Sequence, residues 1–335
     1  MTKFFAGLSG VLGMDVGIDL GSSNIVVYVK DKGIVFSEPS AVAVKKLPRA
    51  EGFEVIAVGR DAKAMSGKVP AGIEAIWPLE GGVIANFDMT QELIRYCIKR
   101  VSAGNTFMVH PRVVISIPAE VTEVERKAVI DATLGAGASE AYVVEEPISA
   151  ALGVGLPIDK PSGCMIIDIG GGTSEVSVIS LGGIVVTSSL RSAGRTMDNA
   201  IINMVRQRYA LLIGETTAEE VKNTIGSALP LDTELEMHVK GRDLSDGLPK
   251  SDTVSSVEVR EAMESIFTGI EDMVKVALEK MPPELAKDVV DRGIVLSGGV
   301  ALMRGFSERL SRAINTPVIV AEQPLYSVAL GVGKI

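Results

Sequence analysis

Two stretches of the 335-residue chain carry the same pattern of residue types: an apolar run ends in an aspartate and meets a glycine turn. The first reads Asp19-Leu20-Gly21-Ser22-Ser23-Asn24; the second, 149 positions on (19 to 168), reads Asp168-Ile169-Gly170-Gly171-Gly172-Thr173. Such turns expose successive backbone N–H groups that attract phosphate oxygens, and the missing Cβ lets those oxygens come close. A carboxylate beside the turn repels phosphate unless a cation stands between, and Mg2+ is commonly held by one or two carboxylates with phosphate and water. Asp19 and Asp168 are therefore the candidate metal residues, reaching Mg2+ through water. Aspartate also serves as an ordinary hairpin cap, but two matched copies favour a grip on a polyphosphate.

Two further pieces fit the same chemistry. In Val143-Val144-Glu145-Glu146-Pro147 a strand runs into a helix that begins with proline, a favourable first position. Glu146 at that junction can orient a water for attack on a terminal phosphate; the alternative is a glutamate favoured by the helix dipole alone. Leu296-Ser297-Gly298-Gly299-Val300 reads as a strand entering a glycine turn and then a helix, suited to a flat base or ribose lying on bare backbone, though it is also an ordinary connection. No GxxxxGK[ST], strand-borne GxGxxG, GxSxG or HExxH is present, so the P-loop, Rossmann, esterase and zinc-protease readings lose their support.

The elements around these pieces follow a repeated grammar. From Met14 the chain reads strand, turn, strand, turn, strand, and the segment from Cys164 to Leu190 repeats it. The pattern predicts helices over 90–103, from the Thr122-x-x-Glu125 capping box to Gly135, over 196–209, from a Thr217-x-x-Glu220 box, over 257–280 and from Gly305. Arg112 to Ile117 reads as a short strand, and GIVLSGG as the last one. Residues 230–254 read as a loop-rich excursion around short strands.

At 47% hydrophobic and 22% charged residues, with 35 glycines and 15 prolines, the chain is neither disordered nor collagen-like, and its length suits two domains of about 150 residues. Acidic residues outnumber basic ones by 42 to 33, a net charge of −9, which argues against nucleic acid as a partner. Cys97 and Cys164 stand alone, and His110 and His238 are far apart, so no disulfide or metal-ligand framework is visible and a reducing cytoplasm fits. The uncharged run near the start, from Phe4 to Met14, is too short to span a membrane and lacks a basic n-region and a cleavage site.

Taken in order, the four pieces resemble the actin, sugar-kinase and heat-shock-chaperone ATPase superfamily, and within it the MreB family of bacterial actin-like cell-shape proteins. The matching text includes IDLGSSN, GVIANFDMTQELIRY, PRVVISIPAEVTEVERKAVIDA, IIDIGGGTSEVSVISLGGIV, VKGRDLSDGLPK and GIVLSGGVALMRG. The resemblance implies an α/β actin-like ATPase fold: two related RNase H-like halves, each a mixed β-sheet flanked by helices, with nucleotide in the cleft between them. Residues 14–150 would form the first half (subdomains IA and IB) and 151–335 the second (IIA and IIB, IIB at about 195–255). It further implies ATP or GTP with Mg2+ as cofactors. Gly21, Ser22, Ser23 and Asn24 would line the first phosphate loop, and Gly170, Gly171, Gly172 and Thr173 the second. Glu146 and Thr173 would be catalytic, Gly194, Glu219 and Lys222 would serve the adenosine side, and Gly298, Gly299, Val300 and Ala301 would close that pocket. Where the family usually reads glycine, threonine or alanine, this chain has Ser22, Ser23 and Val300, and Val300 lacks the freedom of glycine in the adenosine loop.

The family's proteins polymerise into paired protofilaments at the inner face of the cytoplasmic membrane and organise cell-wall synthesis. The expected partners are thus further copies of the chain, the membrane surface and membrane proteins of the wall-elongation machinery, with slow nucleotide hydrolysis serving filament turnover. Phe4, Phe5 and Leu8 share one face of a candidate amphipathic arm at 1–13, weakened by three glycines that cost about 1 kcal/mol each in a helix. Phe107 and Met108 form a second candidate lipid contact, or a loop folded back on the core. A small-molecule kinase on the same fold is the alternative; a chaperone would need a peptide-binding domain for which the sequence leaves no room.

Overall fold

The computed structural model describes residues 14–47, 52–103 and 110–335. They form two compact units, one of the described residues up to Leu156 together with Tyr326–Ile335, the other of Pro157–Leu325. Phe4, Phe5, Leu8, Phe107 and Met108 lie outside the described residues, as does the whole 1–13 arm. Among the described residues no helix is long and apolar enough to cross a membrane.

The first unit opens with the meander β1 (Asp15–Leu20), β2 (Asn24–Val29) and β3 (Gly33–Pro39). A small sheet follows from β4 (Val42–Lys46), β5 (Phe53–Val58) and, after helix α1 (Arg60–Met65), β6 (Ile73–Ile76). The ribbon β7 (Leu79–Glu80) and β8 (Val83–Ile84) leads into α2 (Phe87–Ser102), then β9 (Arg112–Ile117), α3 (Glu123–Gly135), β10 (Glu140–Glu145) and α4 (Glu146–Gly153). The main sheet has the order β10-β9-β1-β2-β3, with β9 parallel to both β1 and β10. Its Ile18, Val27 and Ile115 belong to one core with Leu93 and Ile94 of α2, all fully or almost fully buried.

The second unit repeats the plan with β11 (Cys164–Ile169), β12 (Ser174–Ser180) and β13 (Gly183–Leu190). Next come α5 (Gly194–Tyr209), β14 (Leu211–Leu212), α6 (Glu215–Ile225), the hairpin β15 (Glu236–Asp243) and β16 (Pro249–Ser255), and α7 (Ser256–Lys280). Helix α8 (Pro283–Arg292), β17 (Ile294–Ser297), α9 (Phe306–Ile314) and β18 (Val318–Val320) complete it. The sheet order β13-β12-β11-β17-β18 is that of the first unit, again three antiparallel strands followed by two parallel ones. Its core gathers Ile167, Val176, Phe267, Ile270 and Phe306. The last helix, α10 (Ser327–Val332), lies in the first unit, although the sequence reading carried its second half through to residue 335.

Several local expectations need correction. Helix α2 starts at Phe87 because Asn86 caps it, its Oδ1 accepting from the Met89 N–H at 3.1 Å. The Thr122 capping box forms as read, whereas the Thr217 box does not: α6 begins at Glu215 behind an extended Gly214, which places Thr217 inside the first turn. The 230–254 stretch holds the long β15–β16 hairpin, joined by a turn at which Asp243 accepts from the Ser245 N–H at 2.7 Å and Asp246 from the Leu248 N–H at 2.9 Å. β17 is not the last strand, since β18 pairs parallel to it. After Gly298 the chain makes a 3-10 turn over Gly299–Leu302 rather than a helix directly.

Candidate functional site

Each aspartate is the last but one residue of the central strand of its sheet. Asp19 lies on β1, and the Ser116 hydroxyl on the neighbouring parallel strand β9 donates to its Oδ1 at 3.3 Å. Asp168 lies on β11 in register with Ser297 on the parallel strand β17. These two serines complete the repeat and were not singled out from the sequence. They become visible only once parallel pairing sets them beside the carboxylates.

Asp168 is the more constrained of the two. Its Oδ1 is buried with no hydrogen-bond partner among the described residues. Burial raises its pKa to about 6, with the Ser297 hydroxyl offsetting part of the shift. Gly298 takes φ 84°, and a Cβ there would collide with the Ile169 carbonyl and come within 2.7 Å of Asp168 Oδ1. The Gly298 backbone thus packs directly against the Ile169 carbonyl and the Asp168 carboxylate, an approach that any side chain would block. Among the described residues no three His, Cys, Asp or Glu side chains gather into a metal cluster.

The loops are fastened from behind. In the first, Ser40 donates through its hydroxyl to the Gly21 carbonyl at 2.6 Å and through its N–H to the Ser23 carbonyl at 2.9 Å. Ser22 is buried and accepts from the Gly82 N–H at 3.0 Å. In the second, Gly170 N–H donates to Thr173 O at 2.9 Å, while the N–H groups of Gly194 and Arg195 donate to the carbonyls of Gly170 and Gly171 at 3.2 and 2.8 Å. Two parts of the chain remote in sequence therefore hold the loops in shape.

Glu146 is buried at the first residue of α4. Its neighbour Glu145 stands at the N-cap position without a side-chain cap bond, and its carboxylate accepts from Arg126 at 2.8 Å. The other end of α4 is held by Lys334, whose Nζ donates to the carbonyls of Leu152 at 2.7 Å and Gly153 at 3.2 Å. Helix α10 crosses α4 so closely that a Cβ on Gly331 would collide with the Ser149 carbonyl, and one on Gly153 with the Ser327 carbonyl.

Glu219 and Lys222 sit a turn apart on α6. Lys222 Nζ donates to the Gly194 carbonyl at 2.9 Å and pairs with Asp198 at 2.8 Å, contacts that the sequence reading, with Lys222 against adenosine, did not contain. Val300 and Ala301 are buried, and both join the core of the second unit. In this turn the left-handed conformation falls on Gly298, at φ 84°, and not on Val300.

Comparison with known proteins adds an independent line. The family model described as MreB/Mbl protein matches residues 13–335. The cell shape-determining protein MreB of Escherichia coli K12 is 47% identical over 325 residues, covering 97% of this chain and 94% of that protein. The cell shape-determining protein Mbl of Bacillus subtilis 168 is 43% identical over 319 residues, covering 95% and 94%. MreB5 of Spiroplasma citri, solved bound to ADP, superposes with a TM-score of 0.89 at 37% identity over 95% of this chain and 94% of that one. A MamK double helical filament, at 22% identity, shares the fold with a TM-score of 0.79 over 96% and 98%. Duplicated sheets that present aspartate-led glycine hairpins at equivalent positions, and relatives that align along nearly the whole length, lead to one assignment: the chain belongs to the MreB/Mbl family and has its actin-like fold.

Proposed function

We propose that the chain is a nucleotide-dependent cytoskeletal protein that governs bacterial cell shape. On this reading it binds ATP, or GTP, with Mg2+ and assembles with copies of itself into filaments at the inner face of the cytoplasmic membrane. Hydrolysis is slow and coupled to polymerisation, and the filament organises membrane proteins of the wall-elongation machinery. The observation that carries the reading is the unsatisfied Asp168 oxygen beside a position where only glycine fits, on a hairpin matched by that of Asp19. Support comes also from the relatives, which are cell shape-determining proteins in E. coli and B. subtilis, and from MreB5 structures bound to ADP and to AMPPNP.

In this mechanism the N–H groups of Gly21 to Asn24 and of Gly171 to Thr173 bind phosphate oxygens, with Gly170 bracing the second loop through its bond to the Thr173 carbonyl. Asp19 and Asp168 would hold Mg2+ through water, and a bound ion would supply positive charge beside the phosphate oxygens. Glu146, fixed at the start of α4, orients the attacking water and accepts its proton, and the Thr173 hydroxyl positions the same water. Glu219 serves the adenosine side, closed by the backbone of Gly298, Gly299, Val300 and Ala301. Phe4, Phe5, Leu8, Phe107 and Met108 enter the bilayer interface, each a weak anchor that polymerisation multiplies.

Phosphate release and assembly measured together test the proposal. Purified protein with Mg2+-ATP should release phosphate slowly and form filaments, and Phe107→Ser/Met108→Ser should reduce the share that pellets with anionic vesicles. A monomer that phosphorylates a small metabolite would instead support a kinase.

A further inference from the structure

We propose that Asp198 and Lys222 form a positioning pair that fixes the second phosphate loop, so that Lys222 governs nucleotide affinity through the loop and not by touching the ribose. The inference rests on the nucleotide reading above. Lys222 projects from α6, and its ammonium group is used inside the protein. It donates to the Gly194 carbonyl at 2.9 Å and lies 2.8 Å from Asp198 Oδ1, with the two side chains 11% and 13% exposed. An ammonium and a carboxylate so far removed from water are held to each other, because separating them leaves two unpaired charges.

The consequence passes through Gly194. It opens α5, and its N–H and that of Arg195 are the donors that take the carbonyls of Gly170 and Gly171. A trans peptide points its N–H opposite to its C=O, so fixing those two carbonyls aims the N–H groups of Gly171 and Gly172 away from α5. These are the donors that a phosphate requires. Approach is close throughout, since a Cβ on Gly194 would stand 3.3 Å from the Gly170 carbonyl and 3.4 Å from Lys222 Nζ. Asp198, one turn further along α5, thereby joins the adenosine-side helix to the phosphate loop.

Ribose contact and loop positioning separate when two ligands are compared. Calorimetric affinities for Mg2+-ATP and Mg2+-2′,3′-dideoxy-ATP, which lacks both ribose hydroxyls, would be measured on the full chain, on Lys222→Met and on Asp198→Asn. We expect each variant to lose about tenfold in affinity for both ligands alike, within the ordinary range of coupling between sites. The ATP to dideoxy-ATP ratio then stays that of the unsubstituted protein, and the double variant is no weaker than the worse single one. If Lys222→Met lowers ATP binding alone and erases the ratio, Lys222 reads the ribose and the inference is overturned; unchanged affinities in both variants overturn it too. Asp198→Asn keeps the side-chain shape and decides the matter by the same ratio should Lys222→Met not fold. Absence of binding by the unsubstituted chain would strike the nucleotide reading itself, a result distinct from either pattern in the variants.

Discussion

A buried carboxylate oxygen without a donor is held against its own solvation, and the chain does this at Asp168. Replacing it with asparagine removes the charge but keeps the shape. Asp168→Asn should weaken nucleotide binding in Mg2+ by about tenfold and leave the remainder insensitive to chelator; calorimetry with and without EDTA checks this. Glu146→Ala should preserve binding and assembly while phosphate release falls by about 10²- to 10⁴-fold, the usual scale for a general base. A rate within a factor of two of the unsubstituted protein would remove Glu146 from the mechanism. These carboxylates were legible because their neighbours in sequence are also their surroundings: a strand, a turn, a helix start. Ser116, Ser297 and Asp198 were not legible, since each acquires its role from an element far along the chain.

Among the elements, α4 and α10 carry the sharpest constraint. Gly331 has no room for a side chain against the Ser149 carbonyl, so Gly331→Val must push α4 and the Glu146 at its start. It should cost about 1–3 kcal/mol of stability, a typical cost of overpacking, and slow phosphate release more than it weakens binding; thermal melting and a kcat against KM comparison read the two effects. At the start of α7, burial pushes the Glu258 carboxyl up. The Ser255 N–H, the Tyr209 and Ser255 hydroxyls and Arg208 outweigh that and hold its pKa at about 2, against 4.5 ordinarily. Its stabilising effect is therefore complete above pH 4.5 and is lost as pH falls towards 2. Urea unfolding should show a Glu258→Gln deficit at pH 7 that shrinks over that interval. Periodicity located α3 and α7 well, but the three-residue β18 was too short to register, and Gly214 started α6 ahead of the more obvious Thr217.

At the scale of the whole molecule, one sheet order occurs twice, and the sequence announced the duplication through the repeated hairpin grammar before any pairing was known. The return of Tyr326–Ile335 to the first unit was invisible in sequence, because it depends on small residues 170 to 180 positions apart, such as Gly153 and Gly331, fitting together. Membership of the MreB/Mbl family and the paired aspartate hairpins support the proposed polymer, whose state would be set by bound nucleotide. Electron microscopy of the purified chain with anionic vesicles, compared with and without Mg2+-AMPPNP, tests that claim most directly. The account predicts membrane-bound paired protofilaments when the nucleotide is present and few when it is omitted. Dispersed particles under both conditions, or filaments indifferent to nucleotide, would contradict it.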